Sequence, residues 1–170
     1  LVGQAVRDHG AQLAVLPEYF CVMGHGDQAK LHVAEPDGDG PIQRALASMA
    51  REHGVWIVGG TVPLRTADPT HARNACCVLA PDGRRAARYD KLHLFRYANE
   101  RESYDEARTL EPGDAPVVVT APIGARTWRI GLTICYDLRF PELYRELCTP
   151  PCDIVTVPAA FTHTTGRAHW

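Results

Sequence analysis

Two kinds of apolar pattern alternate along the chain, and together they predict its helices and strands. Apolar residues recur at helical spacing in three segments, each predicted to be a helix: 1–9, 41–53 and 141–147. Short continuous apolar runs, typical of strands buried on both faces, occupy three others: 13–16, 55–58 and 153–157. Gly10 and Gly54 follow the first two helical segments as C-terminal stops, and Pro141 suits the first position of the third.

Two antiparallel strand pairs are predicted around turns. The pairs are 74–80 with 85–94 around Pro-Asp-Gly, and 117–120 with 128–134 around Gly124. The polar segments 23–40 and 95–113 predict loops, and long loops in compact domains are often functional. Strands that alternate with helices, with a hairpin embedded among them, predict an α/β layered sandwich with a mixed sheet.

Composition narrows the class of protein. The 170 residues fit one domain, and 45% hydrophobic with 22% charged residues is close to the average for soluble globular proteins. No apolar run reaches the roughly 18 residues that a membrane span needs, so we expect no membrane association. The net charge is -2 with both signs interspersed, and no basic face for nucleic acid is visible. Arg84, Arg85 and Arg88 are interpreted as a solvated hairpin end.

The six cysteines are interpreted as free thiols. A chain of this length builds a core without disulfides, and several of the cysteines lie in apolar runs. Cys76 and Cys77 are neighbours, and we expect them to point to opposite faces of one strand. Cys148 and Cys152 have a spacing compatible with zinc, but no second Cys/His pair lies nearby, so no metal is predicted. These observations favour a reducing, cytoplasmic location.

Three ionisable residues lie at or near the ends of apolar strands. Glu18 follows the first strand, Cys135 follows the run at 130–134, and Lys91 lies on the return strand of the hairpin. Ligands collect at the carboxyl ends of strands in open α/β sheets, and a strand that enters a sharp turn presents a nucleophile. Taken singly, each has a structural explanation as a core thiol, a helix cap or a surface lysine. Together they supply the nucleophile, base and positive donor that thiol acyl chemistry requires.

Sequence motifs around these residues resemble the nitrilase superfamily of carbon–nitrogen hydrolases. The matching segments stand in the family's order: Leu-Pro-Glu at 16–18, Tyr-Asp-Lys-Leu-His-Leu-Phe at 89–95, Glu106 within 105–113, Gly-Leu-Thr-Ile-Cys-Tyr-Asp-Leu-Arg-Phe-Pro-Glu-Leu at 131–143, Pro-Ala-Ala-Phe at 158–161, and Thr-Gly-Arg-Ala-His-Trp at 165–170. One such motif would be weak, but the four that carry Glu18, Lys91, Glu106 and Cys135, in order across essentially the whole chain, are specific.

The resemblance implies a four-layer α-β-β-α sandwich with mixed sheets, and cleavage of an amide or nitrile through a thioester. In that scheme Glu18 takes the thiol proton of Cys135, while the Lys91 ammonium and the backbone N–H of Tyr136 hold the oxyanion. Glu106 orients Lys91 or holds the substrate amide. No cofactor and no metal are implied, and the partner is a small-molecule amide.

Finer features of the resemblance concern the substrate and the extent of the chain. The motifs look most like small amidases that act on ω-amides of dicarboxylic α-keto acids or on deaminated glutathione. Phe161 is a candidate substrate-binding residue, and Arg139 is either a substrate-carboxylate anchor or part of a structural ion pair. The single domain over 1–170 is expected to lack the family's first strand and C-terminal part. The sandwich would then be incomplete and the isolated piece unstable, poorly soluble or inactive, with the full-length form a homo-oligomer.

Three other interpretations remain open on the sequence. A Cys–His thiol hydrolase would use His93, His163 or His169 as the base in place of Glu18. A catalytically silent scaffold or binding domain of the same fold would retain these residues without turnover. A nucleotide-binding α/β domain is the third, although neither a G-x-G-x-x-G motif nor a P-loop occurs.

Overall fold

The computed structural model describes residues 1–22, 28–100 and 103–169. Its helices are α1 (Val2–His9), α2 (Ala29–His32), α3 (Pro41–His53), α4 (Pro141–Leu147) and α5 (His163–His169). Its strands are β1 (Leu13–Val15), β2 (Trp56–Val58), β3 (Val62–Arg65), β4 (Ala72–Leu79), β5 (Arg85–Asp90), β6 (Arg96–Ala98), β7 (Ser103–Asp105), β8 (Val117–Ile123), β9 (Arg126–Leu132) and β10 (Ile154–Thr156). Two short 3-10 helices span Glu106–Arg108 and Cys135–Arg139.

The predicted helices and strand pairs form where the sequence signals place them. Gly10 and Gly54 end α1 and α3 in the left-handed conformation, which glycine adopts without steric cost. Proline begins α3 and α4, where its missing N–H has no helical partner. The hairpin β4–β5 and the pair β8–β9 are antiparallel, as predicted.

Several short elements differ from the sequence prediction. The predicted loop 95–113 contains the hairpin β6–β7 and a 3-10 helix, and the predicted loop 23–40 contains α2, while its residues 23–27 lie outside the described residues. Both β3, which contains a proline, and α5 were not predicted. The three strands and α2 have only three or four residues each, which is too short for a periodic signal, and α5 (His163–His169) lacks the apolar stripe that marks α4.

Two further predictions are corrected by tertiary contacts. The strand β1 is not fully buried, because β2 is its only strand partner in the described residues, and Val15 is 46% exposed. The arginines of the hairpin end are not simply solvated, since Arg85 and Arg88 both bind Asp37 in the segment before α3. These ion pairs hold the hairpin against the segment that precedes α3. The hydrogen bond from Arg85 and the charges of both arginines lower the pKa of Asp37.

The strands form two larger sheets and the small hairpin β6–β7. In the five-stranded sheet, β4 lies at the centre, with β2 and β3 along one edge and β5 along the other. The three-stranded sheet has the order β10-β9-β8. Both sheets are mixed, because β1 runs parallel to β2, and β10 runs parallel to β9.

The two sheets pack face to face, and helices cover their outer faces. Cys76 and Val78 of the large sheet share one core cluster with Ile130 and Leu132 of the small sheet. Cys77 lies on the opposite face, as predicted, in a second cluster that α3 and α1 cover. Buried leucines of α4 pack on β9, where Leu147 lies against Gly131. The order of layers is therefore α-β-β-α, and the ends of β1, β5 and β9 lead to the site.

No helix in the described parts of the chain is long and apolar enough to span a membrane.

Candidate active site

Glu18 is a buried carboxylate just past the end of β1. It is 3% exposed, and its Oε2 accepts a hydrogen bond of 2.9 Å from the backbone N–H of Ala160. The preceding segment is packed tightly, because a Cβ on Gly60 would lie 2.1 Å from the carbonyl oxygen of Pro17. Tyr19 has a positive φ of 54°, and its backbone N–H donates to the Thr61 hydroxyl at 2.8 Å. The turn therefore fixes where the Glu18 carboxylate lies.

Lys91 follows β5 directly and is 1% exposed. It does not lie on the return strand as predicted, because β5 ends at Asp90, but its backbone N–H still donates to the carbonyl of Asn74 at 3.0 Å. Its Nζ donates to Oε1 of Glu18 at 3.1 Å and to Oε2 of Glu106 at 2.8 Å. Burial alone would lower the pKa of Lys91, but the two glutamates together raise it above its usual value. The ammonium is therefore charged at neutral pH.

Glu106 begins a 3-10 helix in the segment that was predicted to be a loop. Among the described residues, its carboxylate accepts hydrogen bonds from Lys91, from the backbone N–H of Phe95 at 2.8 Å, and from the Tyr19 hydroxyl at 2.9 Å. Burial raises the pKa of Glu106, but Lys91 and the Phe95 N–H more than offset that effect and lower it. The structure thus brings Glu106 onto Lys91, which is one of the two arrangements that the resemblance implied.

Cys135 lies at the first position of the 3-10 helix that follows β9 and Ile134. It has a positive φ of 49°, a conformation that costs a non-glycine residue energy and recurs at turns that present nucleophiles. Its backbone N–H donates to the carbonyl of Pro158 at 2.9 Å. Burial and the Glu18 charge raise the pKa of the thiol to about 12, although Lys91 opposes that shift. Cys135 therefore lies within electrostatic reach of both groups.

Asp137 connects the turn that carries Cys135 to the segment that carries Lys91. It is fully buried, and its Oδ2 accepts from the Tyr89 hydroxyl at 2.7 Å and from the backbone N–H of Ile134 at 2.8 Å. Its Oδ1 accepts from the backbone N–H of His93 at 3.0 Å and lies 2.8 Å from the His93 Nδ1. Two distant segments of the chain are held together through this one carboxylate.

Four groups of the site were missed by the sequence analysis: Asn74, Tyr19, Asp137 and the backbone N–H of Ala160. Signals for two of them were present. Asn74 is the one uncharged polar side chain in β4, and Asp137 is an acidic residue two positions after the proposed nucleophile. Tyr19 adjoins Glu18 but carries no motif of its own. The Ala160 contribution is a backbone group, which side-chain patterns do not report.

The other sequence candidates lie around this cluster. Tyr136 follows Cys135 and packs edge-on against Phe95 and Phe140, with ring centroids 5.3 and 5.4 Å away. Phe161 is partly buried and lines an apolar groove of about 550 Å³ between Leu16–Pro17 and Pro158–Ala159. The substrate roles of Tyr136, Phe161 and Arg139 stay predictions.

The candidate histidine bases have other surroundings. The Nδ1 of His93 pairs with Asp137, and the His93 ring stacks on Phe140 with centroids 3.5 Å apart. His163 is exposed at the start of α5, and the side chain of His169 lies outside the described residues. The charges that act most strongly on Cys135 are those of Glu18 and Lys91. This arrangement favours a carboxylate base over an imidazole base.

The cysteine pair considered for zinc consists of free thiols, as do the other four cysteines. Cys148 is exposed and Cys152 is half-buried. Among residues 1–22, 28–100 and 103–169, no group of three or more His, Cys, Asp or Glu side chains is arranged to hold a metal ion.

The chain is similar to known proteins in both sequence and structure. A family model described as carbon–nitrogen hydrolase matches residues 1–170. The chain is 38% identical to the deaminated glutathione amidase of Yersinia enterocolitica over 164 residues, which cover 95% of this chain and 56% of that protein. It is 35% identical to the omega-amidase of Homo sapiens over 162 residues, which cover 95% and 56%.

The fold is also that of solved structures. The chain superposes with a TM-score of 0.83 on Saccharomyces cerevisiae Nit3, a member of branch 10 of the nitrilase superfamily, at 26% identity. That match covers 99% of this chain and 59% of the yeast protein. The chain thus spans a little over half the length of the relatives described here.

Proposed function

Because the chain belongs to the carbon–nitrogen hydrolase family, we propose that it carries the catalytic centre of an amidase. The enzyme would cleave the non-peptide C–N bond of a small carboxylic acid amide through a thioester on Cys135. One observation carries this proposal: a buried Glu18–Lys91–Glu106 cluster lies within electrostatic reach of a thiol at a sharp turn. These are the base, the cation and the nucleophile of thiol acyl transfer.

The first step is attack by sulfur with simultaneous loss of its proton. The raised pKa of Cys135, about 12, means that the resting group is a thiol at neutral pH. A base must therefore take the proton as sulfur approaches the carbonyl carbon. Glu18 is the carboxylate whose charge acts most strongly on that thiol. A new C–S bond forms, the carbonyl π electrons move to oxygen, and the proton passes to Glu18.

The negative oxygen that develops is stabilised by Lys91. An ammonium has three N–H groups, and in the described structure two of those on Lys91 point at Glu18 and Glu106. The third is available for the substrate oxygen. The backbone N–H of Tyr136, in the turn that follows Cys135, supplies a second donor. Such preorganised donors in a buried site are the largest single contribution to many acyl-transfer rates.

Collapse of the tetrahedral intermediate completes acylation. The C–N bond breaks, and Glu18 returns its proton to the departing nitrogen, which leaves as ammonia. Glu18 then takes a proton from water, the oxygen of which attacks the thioester carbonyl. Loss of the Cys135 sulfur, reprotonated by Glu18, releases the carboxylic acid. One carboxylate therefore acts as base, acid, base and acid in turn, while Glu106 holds Lys91 in place.

The proposed substrate is an ω-amide of a short dicarboxylic acid. The support is the similarity to proteins named omega-amidase and deaminated glutathione amidase. Arg139 would bind the distal carboxylate, since a guanidinium forms two parallel hydrogen bonds with that group. Phe161 would contact the substrate on the side that faces the apolar groove.

The test is acylation of Cys135 by succinamate, with ammonia release measured alongside intact-protein mass spectrometry. We expect turnover and a transient succinyl adduct on Cys135, both absent in Cys135→Ala. Cys77→Ala is the matched control, since that thiol is also buried but faces the helices. Absence of both turnover and adduct would support a silent scaffold instead. Full acylation in Glu18→Gln together with its loss in His93→Ala would support a Cys–His hydrolase.

The proposal also covers the setting of the protein. Free thiols at all six cysteines, one of them the nucleophile, suit a reducing cytoplasm. We further propose that residues 1–170 belong to one domain and that the full-length enzyme is a homo-oligomer, as the family resemblance implies. Light scattering on the purified full-length protein, at two concentrations, tests the second point.

A further inference from the structure

Five side chains of the site form a closed ring of hydrogen bonds. Lys91 connects the two glutamates on one side, at 3.1 and 2.8 Å. On the other side, Nδ2 of Asn74 donates to Oε1 of Glu18 at 3.0 Å and to the Tyr19 hydroxyl at 3.1 Å. The Tyr19 hydroxyl in turn donates to Oε1 of Glu106 at 2.9 Å. The proposed mechanism uses the lysine side of this ring and gives no role to the Asn74–Tyr19 side.

The direction of each hydrogen bond in the ring is fixed by donor chemistry. Ionised carboxylates only accept, so the Asn74 atom that faces Glu18 must be the amide nitrogen. That nitrogen has two hydrogens, and both are used. The Tyr19 hydroxyl has one hydrogen, which goes to Glu106. Asn74 and Tyr19 therefore cannot pass a proton from one glutamate to the other unless the donors and acceptors of these hydrogen bonds exchange roles.

The two oxygens of Glu18 consequently have different surroundings. Oε1 accepts from both Lys91 and Asn74, which occupy its lone pairs. Oε2 accepts a hydrogen bond of 2.9 Å from the backbone N–H of Ala160, and neither Lys91 nor Asn74 donates to it. A proton that reaches Glu18 is thus accommodated at Oε2 without breaking either bond at Oε1.

We propose that Asn74 and Tyr19 are positioning residues that keep Oε1 of Glu18 an acceptor, so that Glu18 exchanges its proton through Oε2. This inference rests on the proposed function, since Cys135 and the leaving nitrogen are the proton's source and destination. The pair also keeps that proton away from Glu106, which remains an ionised partner of Lys91. Asn74 and Tyr19 act through the glutamates and touch no reacting atom.

The burial of Asn74 supports a positioning role. Asn74 is 1% exposed in β4, and its Oδ1 accepts no hydrogen bond within the described residues. A buried acceptor without a partner destabilises the folded state, so stability alone would favour an apolar residue at this position. The two donor hydrogens are what asparagine supplies here. Burial and the nearby glutamates raise the pKa of Tyr19 well above its usual value, so its hydroxyl remains a donor.

The test measures the reactivity of the Cys135 thiol rather than turnover of an amide. Iodoacetamide alkylation of Cys135 is followed by mass spectrometry across the acid and neutral range. A thiol that passes its proton to Glu18 alkylates at a rate that is constant with pH until Glu18 itself becomes protonated. Asn74→Asp replaces the donor to Oε1 with a second carboxyl, and two adjacent carboxylates do not both ionise. The low-pH end of the plateau should then move up by at least about one pH unit.

Two further variants separate positioning from folding. Tyr19→Phe keeps the aromatic side chain and loses only the hydroxyl. We expect the low-pH end of the plateau to move up in this variant too, by a smaller amount than in Asn74→Asp. Tyr144→Phe is its matched control, because that hydroxyl contacts Thr133 beneath α4, and it should leave the profile unchanged. Asn99→Asp adds the same carboxylate at an exposed position, and it controls for the added negative charge of Asn74→Asp. Should Asn74→Asp fail to fold, Tyr19→Phe decides alone.

The outcomes distinguish this inference from the proposed function. Unmoved profiles in both Asn74→Asp and Tyr19→Phe would overturn the ring's role, as would equal shifts in Tyr19→Phe and Tyr144→Phe. Failure of the wild type to hydrolyse or become acylated by amides would count against the amidase, yet the alkylation profile would still report the proton at Glu18.

Discussion

The Tyr89 hydroxyl donates a 2.7 Å hydrogen bond to Oδ2 of Asp137, and this contact connects the lysine segment to the nucleophile turn. Tyr89 is the last-but-one residue of β5, two positions before Lys91, and Asp137 is two positions after Cys135. Both side chains are buried at 1% exposure or less. The relative position of ammonium and thiol therefore depends on a carboxylate that touches neither.

Tyr89→Phe should destabilise the fold and slow the enzyme. The change removes one donor from a fully buried carboxylate, which costs about 1–3 kcal/mol because hydrogen bonds to charged groups are strong. Urea unfolding should show a lower midpoint with an unchanged slope. Tyr97→Phe, on the β6–β7 hairpin, is the comparison, since its hydroxyl meets Asn99 at the surface. Equal midpoints for the two variants would contradict the role given to Asp137.

Glu18→Gln should separate thiol reactivity from turnover. In the wild type, we expect alkylation of Cys135 to be constant with pH over the neutral range, because the thiol proton would pass to Glu18. Without that carboxylate, thiolate forms only by loss of the proton to solvent, and the rate should climb about tenfold per pH unit. Amide hydrolysis should fall by about 10²–10⁴, since no acid protonates the leaving nitrogen. Alkylation rates at several pH values and ammonia release measure the two effects.

A contrary result for Glu18→Gln is equally specific. If the variant keeps the flat alkylation profile, another group accepts the thiol proton. Glu111→Gln is a suitable control, because Glu111 pairs with Arg73 at the surface and lies outside the ring.

Lys91→Met should reverse the effect of mild acid on stability. In the wild type, the lowered pKa of Glu106 means that the unfolded chain binds more protons, so stability is lost as pH falls below about 4.5. The pKa of Lys91 is raised, so its contribution is present throughout this range and is lost only at high pH. Without the ammonium, Glu18 and Glu106 are buried like charges, and a proton on one of them favours the folded state.

Thermal or urea unfolding between neutral pH and about pH 5 measures that reversal. The Lys91→Met variant should gain stability over this interval, while its amide hydrolysis falls by at least about 10²–10³ with the loss of an oxyanion donor. Arg84→Met, an exposed cation of the hairpin end, should follow the wild type. If stability changed with pH in the same way in the wild type, Lys91→Met and Arg84→Met, Lys91 would not be the shared counter-ion of Glu18 and Glu106.

The framework of the fold was predictable from local signals. Glycine and proline set the ends of α3 and α4 at the residues that the sequence indicated, because their backbone preferences act without tertiary help. Motif order placed Glu18, Lys91 and Cys135 in one site, and the structure brings them together.

What the sequence did not predict has no periodic or motif signal. The β6–β7 hairpin has three-residue strands that no periodic pattern marks, and it is stabilised by strand pairing and by the packing of Phe95 on its tyrosines. Arg85 and Arg88 find Asp37 48 and 51 positions away, so their ion pairs follow from the fold. Asn74 is 56 positions from Glu18, and its two donor hydrogens matter only once β1 and β4 lie in one sheet. The contacts of Asp37 and Asn74 are therefore tertiary contacts without a local signature.

Gly60→Ala should damage the site through packing, and Gly124→Ala is its matched control. Both glycines have positive φ, 54° and 63°, so each variant carries the strain of a left-handed alanine, about 1 kcal/mol. At Gly124 the nearest atom to a new Cβ is a Gln12 side-chain atom at 3.7 Å, whereas at Gly60 it is the Pro17 carbonyl oxygen at 2.1 Å.

That carbonyl cannot stay in place, and it immediately precedes Glu18. We expect Gly124→Ala to lose about 1 kcal/mol in urea unfolding and to retain kcat/KM. Gly60→Ala should lose more stability, and kcat should fall by about 10²-fold if the carboxylate moves by about 1 Å. Equal stability losses with kcat retained in both would mean that the close contact between Gly60 and Pro17 does not position the base.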